Sequence, residues 1–324
     1  MDLSFTRITS TASGQNEIST KVLIIGSGPA GLSAALYTAR ADLKPVVLTG
    51  MELGGQVSLT NDVDNYPGFP EGVGGSELVE LFQKQAERFG AKIEYDTATE
   101  VNLLERPFRV KTYNAIYLAD SIIITTGATT KHLNIPGETE LTGRGVSYCA
   151  TCDGWFFKEK DVVVVGGGDS AIEEGLFLTR YANKVSIIHR RDELRAGPVL
   201  QNRAKENPKM NFIWNSIVTE IKGKDAVQSI VIKDVTNAKE SELPIDGVFV
   251  FVGHTPNTEL FEDQIKLDED GYIKVDHWMR TNIPGVFAAG EIADSHFRQV
   301  ITSAGMGAAA GMQANHFLED AEII

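Results

Sequence analysis

The residues best equipped for chemistry lie close together in the middle of the chain. Cys149-Ala-Thr-Cys152-Asp153 places two thiols three residues apart with a carboxylate next to the second. Three chemistries compete for such a pair. A zinc site needs four ligands, usually two such pairs or added histidines at close spacing. The chain has only these two cysteines and six histidines, none at that spacing. A structural disulfide would close a very small loop and gain little loop entropy. A redox dithiol needs an accessible thiolate of tuned acidity, and this is the reading the spacing favours. Asp153 would either hold a proton for a departing thiolate or act as a plain helix N-cap.

Two glycine clusters share one pattern. Gly26-Ser-Gly28-Pro29-Ala30-Gly31 follows the apolar run Lys21–Ile25 and opens an Ala-rich helix through Arg40. Gly166-Gly-Gly168-Asp169-Ser170-Ala171 follows Asp161–Val165 and opens a helix through Tyr181. A second apolar run comes after each, Pro45–Leu48 and Lys184–Ile188, so each reads as strand–turn–helix–strand. The spacing G-x-G-x-x-G/A suits a dinucleotide. The first glycine makes the turn, the second admits a pyrophosphate, and the third lets helix and strand pack closely. The helix N-terminus then favours the phosphates.

The residues just beyond the second strand of each unit separate the two sites. After Val46–Leu48 stand Thr49 and Gly50, with no acid to take a ribose hydroxyl. After Lys184–Ile188 comes His189-Arg190-Arg191-Asp-Glu-Leu-Arg195. Arginines there bind a 2′-phosphate through charge-assisted hydrogen bonds, so the second site should prefer NADPH to NADH.

These motifs need a scaffold of buried parallel strands. The β-branched runs lack polar alternation, as strands covered on both faces do. Further strands are expected at Ser121–Thr125, Val248–Val252 and Val286–Ala289, with a Gly/Ala-rich helix over about 299–318 and β-meanders near 93–118 and 211–235. Two fingerprints cannot serve one nucleotide. The expected fold class is therefore α/β, with two Rossmann-like dinucleotide-binding domains, the second inserted into the first. The boundaries read as a flexible arm over 1–20, the first domain over 21–128 and 255–324, and the inserted domain over 129–254. The joints fall near Thr126–Thr130 and Gly253–Asn257.

Composition sets the limits. The 324 residues are 42% hydrophobic and 23% charged, as in ordinary globular proteins. Thirty basic against 44 acidic residues give −14, which argues against nucleic acid as a partner. Two cysteines exclude a disulfide-stapled secreted scaffold. No apolar run approaches the roughly 20 residues of a membrane span. The first 20 residues lack the apolar segment of a secretory signal and contain acids that a transit peptide would avoid.

Taken together, the motifs resemble those of the low-molecular-weight NADPH-dependent thioredoxin reductases, flavoproteins of the pyridine nucleotide-disulfide oxidoreductase type. The resemblance runs from about Lys21 to Leu318. It is carried by both fingerprints, Gly54-Gly55-Gln56, Asn65-Tyr-Pro-Gly68, Thr126-Gly127, Cys149–Asp153, His189-Arg-Arg191 with Arg195, Gly253–Asn257, Ala288-Ala-Gly290 and Arg298-Gln299. It implies FAD on the first fingerprint, held by Gly26, Gly28, Pro29, Ala30, Gly31, Gly55, Gln56, Asn65, Thr126, Gly127, Gly290, Glu291, Arg298, Gln299 and Val300. It implies NADPH on Gly166, Gly168, Asp169, Ser170, His189, Arg190, Arg191 and Arg195, and no metal. Family members also lack the ribose acid after the first unit. The family usually carries Asp after Ala-Ala-Gly, where this chain has Glu291. The added methylene keeps the charge and moves the carboxylate by about 1.5 Å.

The resemblance also implies a mechanism. Electrons pass from NADPH through the flavin to the Cys149–Cys152 disulfide, with Cys152 facing the flavin and Asp153 donating a proton. Cys149 then attacks oxidised thioredoxin through a mixed disulfide. One domain rotates against the other between half-reactions, with the two joints as hinges. A cytoplasmic homodimer is expected, without membrane or nucleic-acid partners. Three alternatives share parts of this pattern. A related disulfide reductase would serve another small dithiol or a peroxidase-system carrier. A ferredoxin or flavodoxin reductase on the same fold would lack the cysteines. A redox sensor would bind NADPH without turnover.

Overall fold

The computed structural model describes residues 8–10, 16–60 and 62–322. Six α-helices occur among them: α1 (Pro29–Arg40), α2 (Gly75–Arg88), α3 (Ala150–Asp153), α4 (Asp169–Leu178), α5 (Pro198–Glu206) and α6 (Val300–Glu322). The chain divides into two compact units, Met1–Thr129 with Thr255–Ile324, and Thr130–His254.

The first unit is built on a parallel sheet in the order 92–94, 46–48, 16–25, 115–124 and 286–288. Phe108–Thr112 adds antiparallel to the start of Ala115–Ile124, and Ala98–Asn102 adds antiparallel to Phe108–Thr112. The central strands are buried because they are apolar on both faces. Leu23, Ile25, Ile122 and Ile124 face a core with Phe261 and Ile292. Val22, Ile24 and Ile123 face the opposite way, onto Ala-rich surfaces of α1 and α6. Period-two alternation places adjacent residues in different cores, so a central strand tolerates no polar face. A fully buried isoleucine such as Ile24 would cost about 2–5 kcal/mol if cut to alanine.

The second unit repeats the plan. Its parallel sheet runs 146–147, 247–250, 161–165, 184–188 and 210–213. Val162 and Val164 pack under α4 and α5. Val163 and Val165 pack against an antiparallel sheet of Ser216–Gly223, Val227–Asp234 and Glu240–Pro244.

Several expectations are corrected. The strand expected at Lys21 begins at Asn16, because residues 16–20 pair with Ala115–Ala119 and so satisfy both backbones. Ile8–Ser10 pairs antiparallel with Asn16–Ile18, so these parts of the expected flexible arm are strand. Residues 1–7 and 11–15 of that arm lie outside the described residues. The first strand of each expected meander, Lys92–Glu94 and Met210–Ile213, belongs instead to the parallel sheet. Alternation marks a strand but not its partner. The second fingerprint helix spans Asp169–Leu178 rather than ending at Tyr181, and the last helix runs to Glu322.

Candidate active site

Ligand sites in open α/β sheets lie beyond the carboxyl ends of the strands. In the first unit, Gly26, Thr125 and Ala289 come directly after three neighbouring strands. Gly26 has φ +112°, and a Cβ there would fall 2.3 Å from the Thr125 carbonyl oxygen. A Cβ on Gly31 would lie 2.0 Å from the Gly26 carbonyl oxygen. The Thr125 hydroxyl donates to the carbonyls of Ile25 and Gly26, both at 3.0 Å, and fixes this turn. Gly28, the N-cap of α1, is different: its Cβ would meet nothing closer than 3.9 Å. Two glycines therefore serve packing and one keeps space open over the helix N-terminus. That first turn holds Pro29 and Ala30 and no acidic residue, and no side chain caps it. The arrangement fits a pyrophosphate.

Around this cradle the other expected residues converge from distant parts of the chain. Ser27 Oγ donates to the Thr49 carbonyl at 3.2 Å and accepts the Gly54 N–H at 3.1 Å, tying the 54–56 loop to the turn. Gln56 Nε2 donates to the Ala128 carbonyl, beside Thr126 and Gly127. Asn65 Nδ2 donates to Gln299 Oε1 at 3.1 Å, joining residues 234 positions apart. Asp294 accepts the N–H groups of His296, Phe297 and Arg298, and so shapes the turn before α6. Arg298 takes φ +51° in that turn. Val300 packs beside Val63, Val73 and Leu78. Gly290, φ +80°, and Glu291 lie beyond the last strand. Burial raises the Glu291 carboxyl above its ordinary pKa; Arg298 opposes this and Asp294 adds to it.

In the second unit, Gly166 and His189 come after adjacent strands, and the Gly166 N–H donates to the Ile188 carbonyl. The arginine loop folds back onto the glycine turn. The N–H groups of Arg195 and Ala196 donate to the Gly167 carbonyl at 2.7 and 3.1 Å. Asp169 Oδ1 accepts the Gly197 N–H at 2.7 Å, so this expected cofactor residue anchors the start of α5. Gly168 is the N-cap of α4 with no side-chain cap, and Ser170 sits in its first turn. Arg190, Arg191 and Arg195 are exposed, and a guanidinium nitrogen of Arg195 lies 3.7 Å from where a Cβ on Gly168 would stand. His189 differs from its neighbours: it is 5% exposed, and a Cβ on Gly167 would fall 2.3 Å from its Nδ1. Its Nε2 is buried and has no hydrogen-bond partner among the described residues. Burial, then Arg195, Arg191 and Arg190, lower its pKa below the ordinary value. An open helix N-terminus with the Arg195 guanidinium beside it, and Arg190 and Arg191 exposed in the same loop, fits a phosphorylated nucleotide.

Cys149 and Cys152 form a disulfide, with Cα atoms 5.3 Å apart. Ala150 is buried and seats the turn, while Thr151 and Cys152 are exposed. Ser147 Oγ accepts the Cys149 N–H and lies 3.1 Å from its carbonyl. Asp153 ends α3 and occupies the N-cap position of the 3₁₀ turn Gly154–Phe157. Trp155 and Phe156, three and four residues beyond Cys152, are exposed. Tyr148 donates to the buried carboxylate of Glu138 at 2.9 Å and meets His132 Nδ1 at 2.8 Å. Thr125, Ser27, Gly167 and Asp294 are supports that motif spacing missed. Asn257 enters the sequence pattern only as the end of a motif. Its side chain donates to the Thr126 carbonyl and its own carbonyl accepts from the Thr126 hydroxyl.

Residues 20–307 match the family described as pyridine nucleotide-disulphide oxidoreductase. A thioredoxin reductase of Rickettsia felis is 50% identical over 307 residues, covering 93% of this chain and 99% of its own. One from Streptomyces coelicolor is 48% identical, covering 92% and 93%. The crystal structure of thioredoxin reductase from Streptococcus pyogenes superposes with a TM-score of 0.89 at 43% identity, covering 93% and 99%. The chain belongs to the pyridine nucleotide-disulphide oxidoreductase family. Within that class it is an enzyme of the thioredoxin reductase kind, and its cofactors are FAD and NADPH.

Proposed function

We propose that this chain transfers electrons from NADPH to the disulfide of thioredoxin, using Cys149 and Cys152 as its own redox pair. The observation that carries the reading is a Cys149–Cys152 disulfide, half-buried at Cys149 and exposed at Cys152, in the unit that also holds the cradle followed by the arginine loop. We assign the first unit to FAD and the second to NADPH. Bound FAD supplies the two-electron link between the nicotinamide and the disulfide. The chain's own groups do the rest. Open N–H groups beyond Gly28 and Gly168 receive the phosphates. Arg190, Arg191 and Arg195 select the 2′-phosphate. Asp153 protonates the Cys152 sulfur as the disulfide is reduced, and takes that proton back when Cys152 resolves the mixed disulfide. Cys149, freed as thiolate, attacks the partner disulfide, and Cys152 resolves the mixed disulfide. Trp155 and Phe156 offer an exposed apolar surface three and four residues beyond Cys152. The working form is a cytoplasmic homodimer. No described helix is long and apolar enough to cross a membrane.

The test is NADPH consumption by FAD-loaded protein with oxidised thioredoxin as sole acceptor, for the parent and Cys149→Ser. Turnover in the parent that vanishes in the variant supports the proposal. NADPH oxidation with dyes but not with thioredoxin would overturn the partner and point to another small dithiol.

A further inference from the structure

Thr151 is the second of the two residues between the cysteines, and the electron path from NADPH to the partner assigns it no task. Its hydroxyl oxygen lies 3.3 Å from Cys149 Sγ. The same sulfur accepts the backbone N–H of Cys152 at 3.2 Å. A disulfide sulfur carries no proton, so the hydroxyl is the donor. Two donors therefore converge on one of the two sulfurs. A neutral disulfide sulfur is a weak acceptor, whereas a thiolate carries a full charge and strengthens every hydrogen bond it receives.

We propose that Thr151 is a catalytic residue of disulfide exchange, its hydroxyl donating a hydrogen bond to the Cys149 sulfur and stabilising the thiolate that attacks. The proposal rests on Cys149 being the attacking thiol. In the exchange, the Cys149 thiolate bonds one sulfur of the partner disulfide and the other partner sulfur leaves with the electron pair. The Cys152 thiolate then bonds Cys149 Sγ, and the first partner sulfur leaves. The enzyme pair is oxidised by two electrons and the partner is reduced by two, taking up two protons. The hydroxyl acts in the first of these steps, by raising the fraction of Cys149 present as thiolate near neutral pH.

The experiment uses FAD-loaded protein with Cys152→Ser, so that Cys149 is the only cysteine, and follows its alkylation by iodoacetamide against pH. Loss of one hydrogen bond to a charged sulfur moves the midpoint up by about one pH unit. Thiolate fraction then falls about tenfold below both midpoints, while intrinsic nucleophilicity rises about threefold. Adding Thr151→Val should therefore slow alkylation about threefold at low pH and speed it about threefold at high pH. Thr151→Ser should keep the parent profile. Thr151→Ala serves as a second variant, and flavin absorbance checks that each protein is folded. A midpoint unmoved by Val and Ala, or moved as far by Ser as by Val, overturns the proposal. Thioredoxin turnover by the parent is measured alongside, so that failure of the partner assignment is seen separately from failure of the Thr151 role.

Discussion

Helix α6 packs on α1 through glycines, and one of them makes a sharp test of how the first glycine cradle is held. A Cβ on Gly307 would lie 2.0 Å from the Ala30 carbonyl oxygen and 2.7 Å from its carbonyl carbon and Cα. Ordinary contact begins near 3.4 Å, so Gly307→Ala forces the helices about 1.4 Å apart at this point. The obstacle is backbone and cannot rotate away. Alanine in place of glycine gains about 1 kcal/mol of helix propensity. Overpacking costs typically about 1–3 kcal/mol, and more where backbone must move. Because backbone must move here, the cost is expected at or above the upper end of that range, a net loss of about 2 kcal/mol or more, with a displaced first turn of α1, since Ala30 belongs to the fingerprint. Gly305, on the same helix, would meet nothing within 4 Å. Gly305→Ala should keep the propensity gain and stabilise by about 1 kcal/mol. Urea denaturation gives the stabilities, and the ratio of flavin to protein absorbance gives the occupancy. Close backbone approach is rejected as the cause if Gly307→Ala matches the parent in urea midpoint and retains its flavin in full, or if the two glycines respond alike.

Other predictions concern the charged groups. Arg191→Ala and Arg195→Ala should each weaken NADPH binding by about 10- to 100-fold, the worth of hydrogen bonds to a charged phosphate, and leave NADH unchanged. Calorimetric titration with both nucleotides decides this, and equal losses for the two would reject the 2′-phosphate assignment. His189 has a folded pKa below its ordinary 6.5, so its contribution to stability is present above 6.5 and is lost as pH falls through the folded value. His189→Gln should flatten the stability profile on the acid side of 6.5, and parallel urea-midpoint curves would contradict this. Glu291 is the opposite case. Its pKa is raised above 4.5, so its contribution is present below 4.5 and is lost as pH rises through the folded value. Glu291→Gln should be more stable than the parent at pH 7 and approach it below 4.5, read from thermal midpoints; a constant offset would show that charge is not the cause.

Features that depend on neighbours along the chain were legible from residue order alone. A glycine turn between an apolar run and a helix is a local object, and its spacing states where a Cβ is forbidden. Gly26, Gly31 and Gly166 were readable for that reason, as were the thiol pair and the arginines one strand beyond the second fingerprint. A repeated strand–turn–helix pattern also announced two nucleotide units with one inserted in the other. Features that depend on packing between distant segments emerged with the folded chain. Folding brings Asn65 to Gln299 and Asn257 to Thr126, which no periodicity encodes. It distinguishes Gly28, left open, from Gly31, closed against Gly26. It buries His189 beneath Gly167 while leaving the neighbouring arginines in solvent, although all belong to one basic run. It sends Lys92–Glu94 and Met210–Ile213 into parallel sheets rather than meanders. The reason is the same throughout: residue type and spacing fix a backbone turn and the chemistry it can carry, whereas burial and strand partnership are settled by which surfaces the folded chain presses together.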